Sequence, residues 1–397
     1  MSRLTPAFPP KRLAGHFYAL FYSGQFILLG FQLPFFAGWL TLNGFTAPEI
    51  GVLTGVALIA RLIFGPFVAF WADHQDDERR ALKVVSGIFA AAAAGLLFFP
   101  AKLMIAFSAF LVLWAFGMLV PLTDTAVLRA DRNGWLHYGR TRAFGSFAFL
   151  ATTLLGGYVL SRFGVGAAAP AMAGAALFAF AMAFLLPANA GGRGGAKPVA
   201  FAEAPKLLGA PVFVIVLLAA GLTQGAHAVY YAFSYLRWSA IGYSEVVIGA
   251  LWATGVTAEI FVLVAARRLV KRASPALLLS LGGAAAAVRW TLTAMEPPLG
   301  FLFLIQTMHA LTFAAAYLGA IEFIDRAVPL RLVNTAMTLM STTGVGAVTG
   351  LATVAAGFIW SNQGAGAAYL LMAAMGAGAL ALSLLVARVW RGERLFE

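Results

Sequence analysis

The stretch GMLVPLTDTAVLRADRNGWLHYGRTRAFGS, Gly117–Ser146, begins inside one apolar segment, crosses a basic turn at Arg129, Arg132 and Arg140, and enters the next apolar segment. Asp124 lies on the near side and Arg142 on the far side, each within hydrophobic sequence. Read as two membrane helices, the stretch sets an acid and a base facing each other across a hairpin. A charged side chain at the centre of a bilayer costs about 2.5–3.5 kcal/mol or more unless it meets a partner or a wet cavity. The rest of the chain repeats the pattern: long apolar helices, basic turns, and a few charges inside.

Composition supports this. The 397 residues are 61% hydrophobic and 11% charged, with a mean hydropathy of +0.87. A soluble domain carries roughly 25% charged residues, so this much apolar surface requires lipid around it. No cysteine is present, which excludes a disulfide framework, a thiol nucleophile and a thiolate metal site. The net charge of +12 reads as Lys and Arg collected in cytoplasmic loops, not as a nucleic-acid footprint. The opening MSRLTPAFPPKR is polar and basic and leads into a full-length span without a small-residue cleavage site, the pattern of an uncleaved first helix.

Apolar runs of about twenty residues mark membrane helices. Twelve are expected, at 13–40, 47–71, 81–99, 102–128, 138–161, 167–187, 211–238, 245–266, 274–294, 299–325, 331–358 and 364–388. With the N-terminus cytoplasmic, 21 of the 27 Lys and Arg residues fall in the termini and the turns on that side. Lys102, Arg162 and Arg237 fall on the other side, and Arg61, Arg142 and Arg289 within helices. That bias puts both termini inside.

The segment 188–210, ANAGGRGGAKPVAFAEAPKLLGA, reads as a cytoplasmic linker between six-helix halves at 1–187 and 211–397. Shifting the chain by 198 residues brings Gly44-Phe45-Thr46 onto Gly242-Tyr243-Ser244 and Ile50-Gly51 onto Ile248-Gly249. The same shift lays Arg61 on Glu259 and Asp124 on Glu322. Such parallel six-helix repeats build transporters with the substrate site at the repeat interface. The expected fold is therefore an all-α membrane protein of twelve helices in two pseudo-symmetric halves.

Asp124, Arg142, Arg61, Glu259, Arg289 and His309 form a charged set unusual in hydrocarbon. Gln224, His227, Tyr231 and Ser234 recur at three- and four-residue spacings and share one helix face. Gln25 and Gln32 share another, and Gln306 and His309 a third. These are candidate walls of a wet cavity, with Tyr22, Phe149, Tyr230 and Trp252 as aromatic lining. Helix packing or ion pairing that locks helices together is the competing role for each. There is no phosphate-binding glycine loop and no paired-histidine metal spacing, so neither ATP nor a metal cofactor is expected.

The residues quoted resemble the major facilitator superfamily, and in particular its branch containing lactose permease. PLTD with YGRTRAFGS (Pro121–Asp124, Tyr138–Ser146) and QGAHAVYYAFSYLRW (Gln224–Trp238) look like the phenylpropionate-type permeases, with VTAEI, AVRW and MHALTF in support. The resemblance implies that Asp124 and Arg142 bind substrate, and it matches Glu259, Arg289 and His309 to the coupling residues of the sugar carrier. Several positions depart from that pattern. Thr312 stands where the carrier's coupling acid is expected, Gln306 where a lysine is, and Phe149 where a tryptophan stacks on sugar. His227 and Tyr230 replace acids on helix 7, and Ala69 and His74 depart from the superfamily signature beside Asp73.

The expected activity is secondary transport of a small organic molecule by alternating access, driven by protons. Three interior arginines against two deep acids leave the site net positive, which an organic anion would balance; a planar guanidinium suits a carboxylate. An aromatic carboxylate of the phenylpropanoid type is the expected substrate, with a neutral sugar or nucleoside as the alternative. The expected substrate residues are Asp124, Arg142, Arg61, Arg289, Gln25, Gln224, His227, Tyr231, Phe149 and Trp252. Glu259, His309 and Asp124 are the candidates for proton coupling. An intramembrane enzyme would need a paired-acid, Ser/Lys or His-metal site, and none is found. The chain is expected as a monomer in the cell membrane, the inner membrane if the source is Gram-negative.

Overall fold

Helices of 18 residues or more, built almost wholly of apolar residues, are the main elements of this chain, because a helix satisfies every backbone group within one segment in lipid. A computed structural model describes residues 13–75, 77, 79–187, 203–265 and 273–396. The first six spans are α1 (Ala14–Leu42), α2 (Ala47–Asp73), α3 (Arg79–Phe98), α4 (Lys102–Arg132), α5 (Tyr138–Phe163) and α6 (Ala168–Leu185). They are followed by α7 (Pro211–Ala240), α8 (Glu245–Val264), α9 (Pro275–Ala294) and α10 (Leu299–Ala327). A last helical stretch, Leu330–Val389, has 60 residues. At 1.5 Å per residue it would run about 90 Å, three times the hydrocarbon thickness.

Gly364 divides it, with φ 88° and ψ 172°. Such a backbone is open to glycine and costly for a residue with Cβ. The parts on either side, 330–363 and 365–389, are α11 and α12, which gives twelve spans among the described residues. Gly164, two hundred residues earlier, makes the same kind of break between α5 and α6 with φ 78°. Gly44 and Gly242 likewise follow α1 and α7 with φ 78° and 87°. The repeat seen in sequence therefore recurs in the backbone at both kinds of turn.

Packing divides the chain into two units. The first contains α1, the part of α2 from Ile63, α3 to α6, and the opening of α8 through Gly249. The second contains the opening of α2 from Thr46 to Leu62, α7, the rest of α8, and α9 to α12. Each unit thus takes the opening turns of one helix whose remainder lies in the other. In the second unit, a Cβ on Gly51 would lie 2.8 Å from the Thr353 carbonyl and 3.1 Å from Gly357 Cα. In the first, a Cβ on Gly249 would lie 2.3 Å from the Thr153 carbonyl and 3.6 Å from Gly157 Cα. Thr353 and Gly357 lie 200 residues after Thr153 and Gly157, the same spacing as between Gly164 and Gly364 and two more than between Gly44 and Gly242. The two contacts are one contact made twice.

Small residues let helices approach closely where no hydrophobic effect drives them together. In the first unit Gly24 lies on Ala179 and Gly30 on Thr152, where added Cβ atoms would come within 2.8 and 2.7 Å. In the second, Gly221 on α7 faces the Gly344 carbonyl of α11 at 2.2 Å by the same measure, and Gly376 faces Ala287 N at 2.5 Å. Overpacking of this kind costs about 1–3 kcal/mol, so these positions hold the spacing of the helices that carry the site. The second unit is finished by the end of the chain: Trp390 sits 4.9 Å from Phe323 and Leu395 N–H donates to the Ala327 carbonyl at 2.8 Å. Of the expected linker 188–210, residues 188–202 lie outside those described; Ala204–Leu208 form a short helix.

Candidate functional site

In the first unit the site is built by α1, α4 and α5. Asp124 stands one turn past Pro121 on α4, and Arg142 is in the second turn of α5. Arg142 Nε is 3.4 Å from Asp124 Oδ1. The same oxygen accepts from the Tyr22 hydroxyl at 2.5 Å and from the Tyr138 hydroxyl at 3.4 Å. The Arg142 guanidinium lies over the Phe26 ring at 4.3 Å and the Tyr22 ring at 5.3 Å. A cation over an aromatic face gains about 0.5–2 kcal/mol. One face of the guanidinium is thus committed to aromatic carbon and one edge to the carboxylate. Both side chains keep access, 27% exposed for Arg142 and 29% for Asp124, so polar valences remain open to a ligand.

Gln25 and Phe149 lie deeper in this unit. Gln25 is fully buried and donates to Thr123 Oγ1 at 3.1 Å, next in sequence to Asp124. Phe149 is 7% exposed and packs where α5 crosses Gly30 of α1.

The second unit assembles its polar residues through two irregular turns. α7 breaks at His227, between Pro211–Gly225 and Ala228–Ala240. α10 widens into a π turn over Ala310–Ala315, directly after His309. Such turns re-aim side chains and are frequent at functional sites. Together they bring His227 Nε2 within 2.9 Å of Thr312 Oγ1. Arg289 Nη1 reaches both Thr312 Oγ1, at 3.0 Å, and His309 Nδ1, at 3.1 Å. Arg289 Nη2 donates to Gln306 Oε1 at 2.8 Å. His309 Nε2 lies 3.3 Å from Glu259 Oε2.

These contacts decide which nitrogens carry hydrogen. A guanidinium only donates, so His309 Nδ1 accepts from Arg289 and Nε2 carries the hydrogen toward Glu259. His227 Nδ1 faces the Gln224 carbonyl at 3.1 Å, which accepts only. That ring therefore carries its hydrogen on Nδ1, and its Nε2 accepts from the Thr312 hydroxyl. The result is one directed chain from Arg289 through His309 to Glu259, with a side branch through Thr312 to His227.

Aromatic rings enclose this chain. Tyr230 stacks on Trp252 with centroids 4.2 Å apart, and Trp252 Nε1 donates to Ser234 Oγ at 3.2 Å. Tyr231 stacks on His227 at 5.4 Å. Gln224 Nε2 donates to the Phe313 carbonyl at 3.2 Å. Arg61 also belongs to this unit; it is half-buried and makes no hydrogen bond or ion pair to another described residue.

The structure thus gathers Asp124, Arg142 and Gln25 in the first unit, and Glu259, His309, Arg289, His227, Tyr231, Gln224 and Trp252 in the second. Sequence reading named neither Phe26 nor Tyr138 as partners of Arg142 and Asp124. Phe26 was findable: it lies four residues after Tyr22 and so shares its face of α1. The bridging part of Thr312 was not, because it depends on the π turn.

Twelve apolar spans with ionisable and amide side chains gathered inside each unit have the features of a membrane transporter. The chain belongs to the MFS_1 like family, whose profile matches residues 15–371. It is 29% identical over 362 residues to a probable 3-phenylpropionic acid transporter of Escherichia coli strain K12, covering 88% of this chain and 92% of that one. It is 28% identical over 252 residues to the maltose permease of Geobacillus stearothermophilus, 64% of each chain. Among solved structures, a mutant of the nucleoside transporter NupG superimposes with a TM-score of 0.80 at 14% identity, over 97% of this chain and 100% of that one. At that identity the likeness is one of fold.

Proposed function

We propose that this transporter carries an aromatic carboxylate of the phenylpropanoid type together with protons, by alternating access of two six-helix halves, 1–187 and 211–397. The observation that carries the reading is Arg142 laid on Phe26 beside Asp124: a planar cation with an aromatic neighbour suits a ligand that joins a carboxylate to an aryl ring. The likeness to the probable 3-phenylpropionic acid transporter supports the same class. In this reading Asp124 and Arg142 grip the substrate, with Arg61, Arg289, Gln25, Gln224, His227, Tyr231, Phe149 and Trp252 lining or shaping its path. Glu259 carries the proton and His309 relays it, with Asp124 as the next candidate.

Uptake into proteoliposomes under an imposed proton gradient tests this. Labelled 3-phenylpropionate accumulates when the inside is made alkaline, and a protonophore abolishes the accumulation. The second reading, a neutral sugar or nucleoside, is favoured by the maltose permease likeness over part of the chain. Proton-driven uptake of maltose or a nucleoside with no uptake of any aryl acid would replace the first reading with it.

Both termini are proposed to be cytoplasmic, in a monomer of the cell membrane, on the Lys and Arg distribution. Single cysteines in place of Leu42 and Ser361 label with an impermeant thiol reagent added outside intact cells. One in place of Gly194, outside the described residues, labels only after the cells are opened. The reverse pattern rejects the topology.

A further inference from the structure

Arg289 is fully buried and makes no ion pair with any described carboxylate. Its hydrogen-bond partners are an imidazole, a hydroxyl, a carboxamide and the phenol of Tyr230, and none of them is a carboxylate. The rings of Trp290, at 4.2 Å, and Tyr230, at 5.0 Å, cover its faces. Those π faces offset part of the charge, yet a buried cation without an anion remains costly.

The second observation is a set of orphan donors around it. Arg289 Nε, Gln306 Nε2, Trp290 Nε1 and the Tyr369 hydroxyl are all buried without a hydrogen-bond partner among the described residues. All four residues are 0% exposed. They are neighbours: Gln306 bonds Arg289, Trp290 underlies it, and Tyr369 stacks on Trp290 at 5.9 Å. Nε and Nη2 lie on one edge of a guanidinium, so the free Nε–H is on the same edge that meets Gln306. A lone buried donor is costly, and native proteins keep few of them. Here four occur together, every one can donate, and the nearby carboxylate of Glu259 meets the network only through His309 and does not touch the guanidinium. Water would satisfy the donors but leave the guanidinium without an anion in contact. A small anion satisfies both.

We propose that Arg289, Gln306, Trp290 and Tyr369 form a binding site for a small monovalent anion within the second unit. The chemistry required is a compact, singly charged acceptor: a free halide, or the carboxylate end of a transported acid. Complete enclosure of the four side chains selects against bulky anions. The site does not depend on the substrate reading above, because binding is measured on the purified full chain without transport.

Melting of the protein in detergent is followed in sodium chloride, sodium formate and sodium methanesulfonate at equal ionic strength. A ligand that binds only the folded state raises the melting temperature with its concentration. Chloride and formate are expected to raise it saturably and methanesulfonate is not. Gln306→Leu and Tyr369→Phe each delete one donor and are expected to weaken the apparent chloride affinity about tenfold, the size of one hydrogen bond to a charged group. Tyr369→Phe keeps the ring stack, so it reports even if Gln306→Leu does not fold. Identical melting in all three salts overturns the proposal, as does chloride stabilisation that persists unchanged in the variants. Titration of 3-phenylpropionate then separates the two sources. Competition with chloride assigns the site to the substrate's carboxylate, and additive stabilisation assigns it to a resident halide.

Discussion

Glu259→Gln is expected to uncouple the transporter. Substrate still binds and exchanges across the membrane, but a proton gradient no longer drives accumulation, and internal and external concentrations become equal. In the wild-type chain Glu259 Oε2 lies 3.3 Å from the Nε2 of His309, whose hydrogen faces the carboxylate because Arg289 occupies the other nitrogen. The amide of glutamine offers the same acceptor at the same length, so the helix contact survives while the titratable group is lost. A carried proton needs a group that is charged near a cation and neutral when buried away from one. Glu259 is 18% exposed on its side chain, and the histidine it meets is in turn held by Arg289. The check pairs two assays on the same vesicles, counterflow with no gradient and uptake with one. If Glu259→Gln accumulates substrate as the unmodified chain does, the residue is structural and Asp124 or His309 is tested next.

Arg142→Lys is expected to lower substrate affinity by about 10- to 100-fold, corresponding to about 1.5–3 kcal/mol for a charge-assisted hydrogen bond. The charge is kept, so the pairing with Asp124 can persist. What lysine lacks is the planar fork and the flat face laid on Phe26 at 4.3 Å; an ammonium is a point charge and does not grip a carboxylate along two bonds. Direct binding of the labelled aryl acid to purified protein is the measurement, with melting temperature followed in parallel to exclude loss of the fold. Near-normal affinity in Arg142→Lys would reduce the residue to joining α4 and α5.

Hydropathy is a property of each segment by itself, and for that reason the membrane class, the helix count and the apolar boundaries are legible without a structure. The break at Gly364 illustrates the limit. Sequence placed the last two spans at 331–358 and 364–388, and the helical hydrogen bonding continues through that gap to Gly364, where a positive φ turns the chain. The internal repeat was also legible, since Gly51 and Gly249 carry it in their neighbours. That both glycines serve the same close contact, on Thr353 with Gly357 and on Thr153 with Gly157, required the packed helices.

The site divides in the same way. Sequence alone determined which ionisable residues lie inside the membrane, because a charge within an apolar run is conspicuous and costly, and it put Asp124 and Arg142 on adjoining helices through a short basic turn. Tertiary structure alone decided the partners. Asp124 gathers Arg142, Tyr22 and Tyr138 on one oxygen, whereas Arg289 gathers neutral groups and no acid. His227 meets Thr312 because α7 breaks at that histidine and α10 widens into a π turn. A regular helical period fixes which residues of one helix share a face. It cannot fix which residues of another helix that face meets, nor foresee a turn with an extra residue that rotates every side chain beyond it.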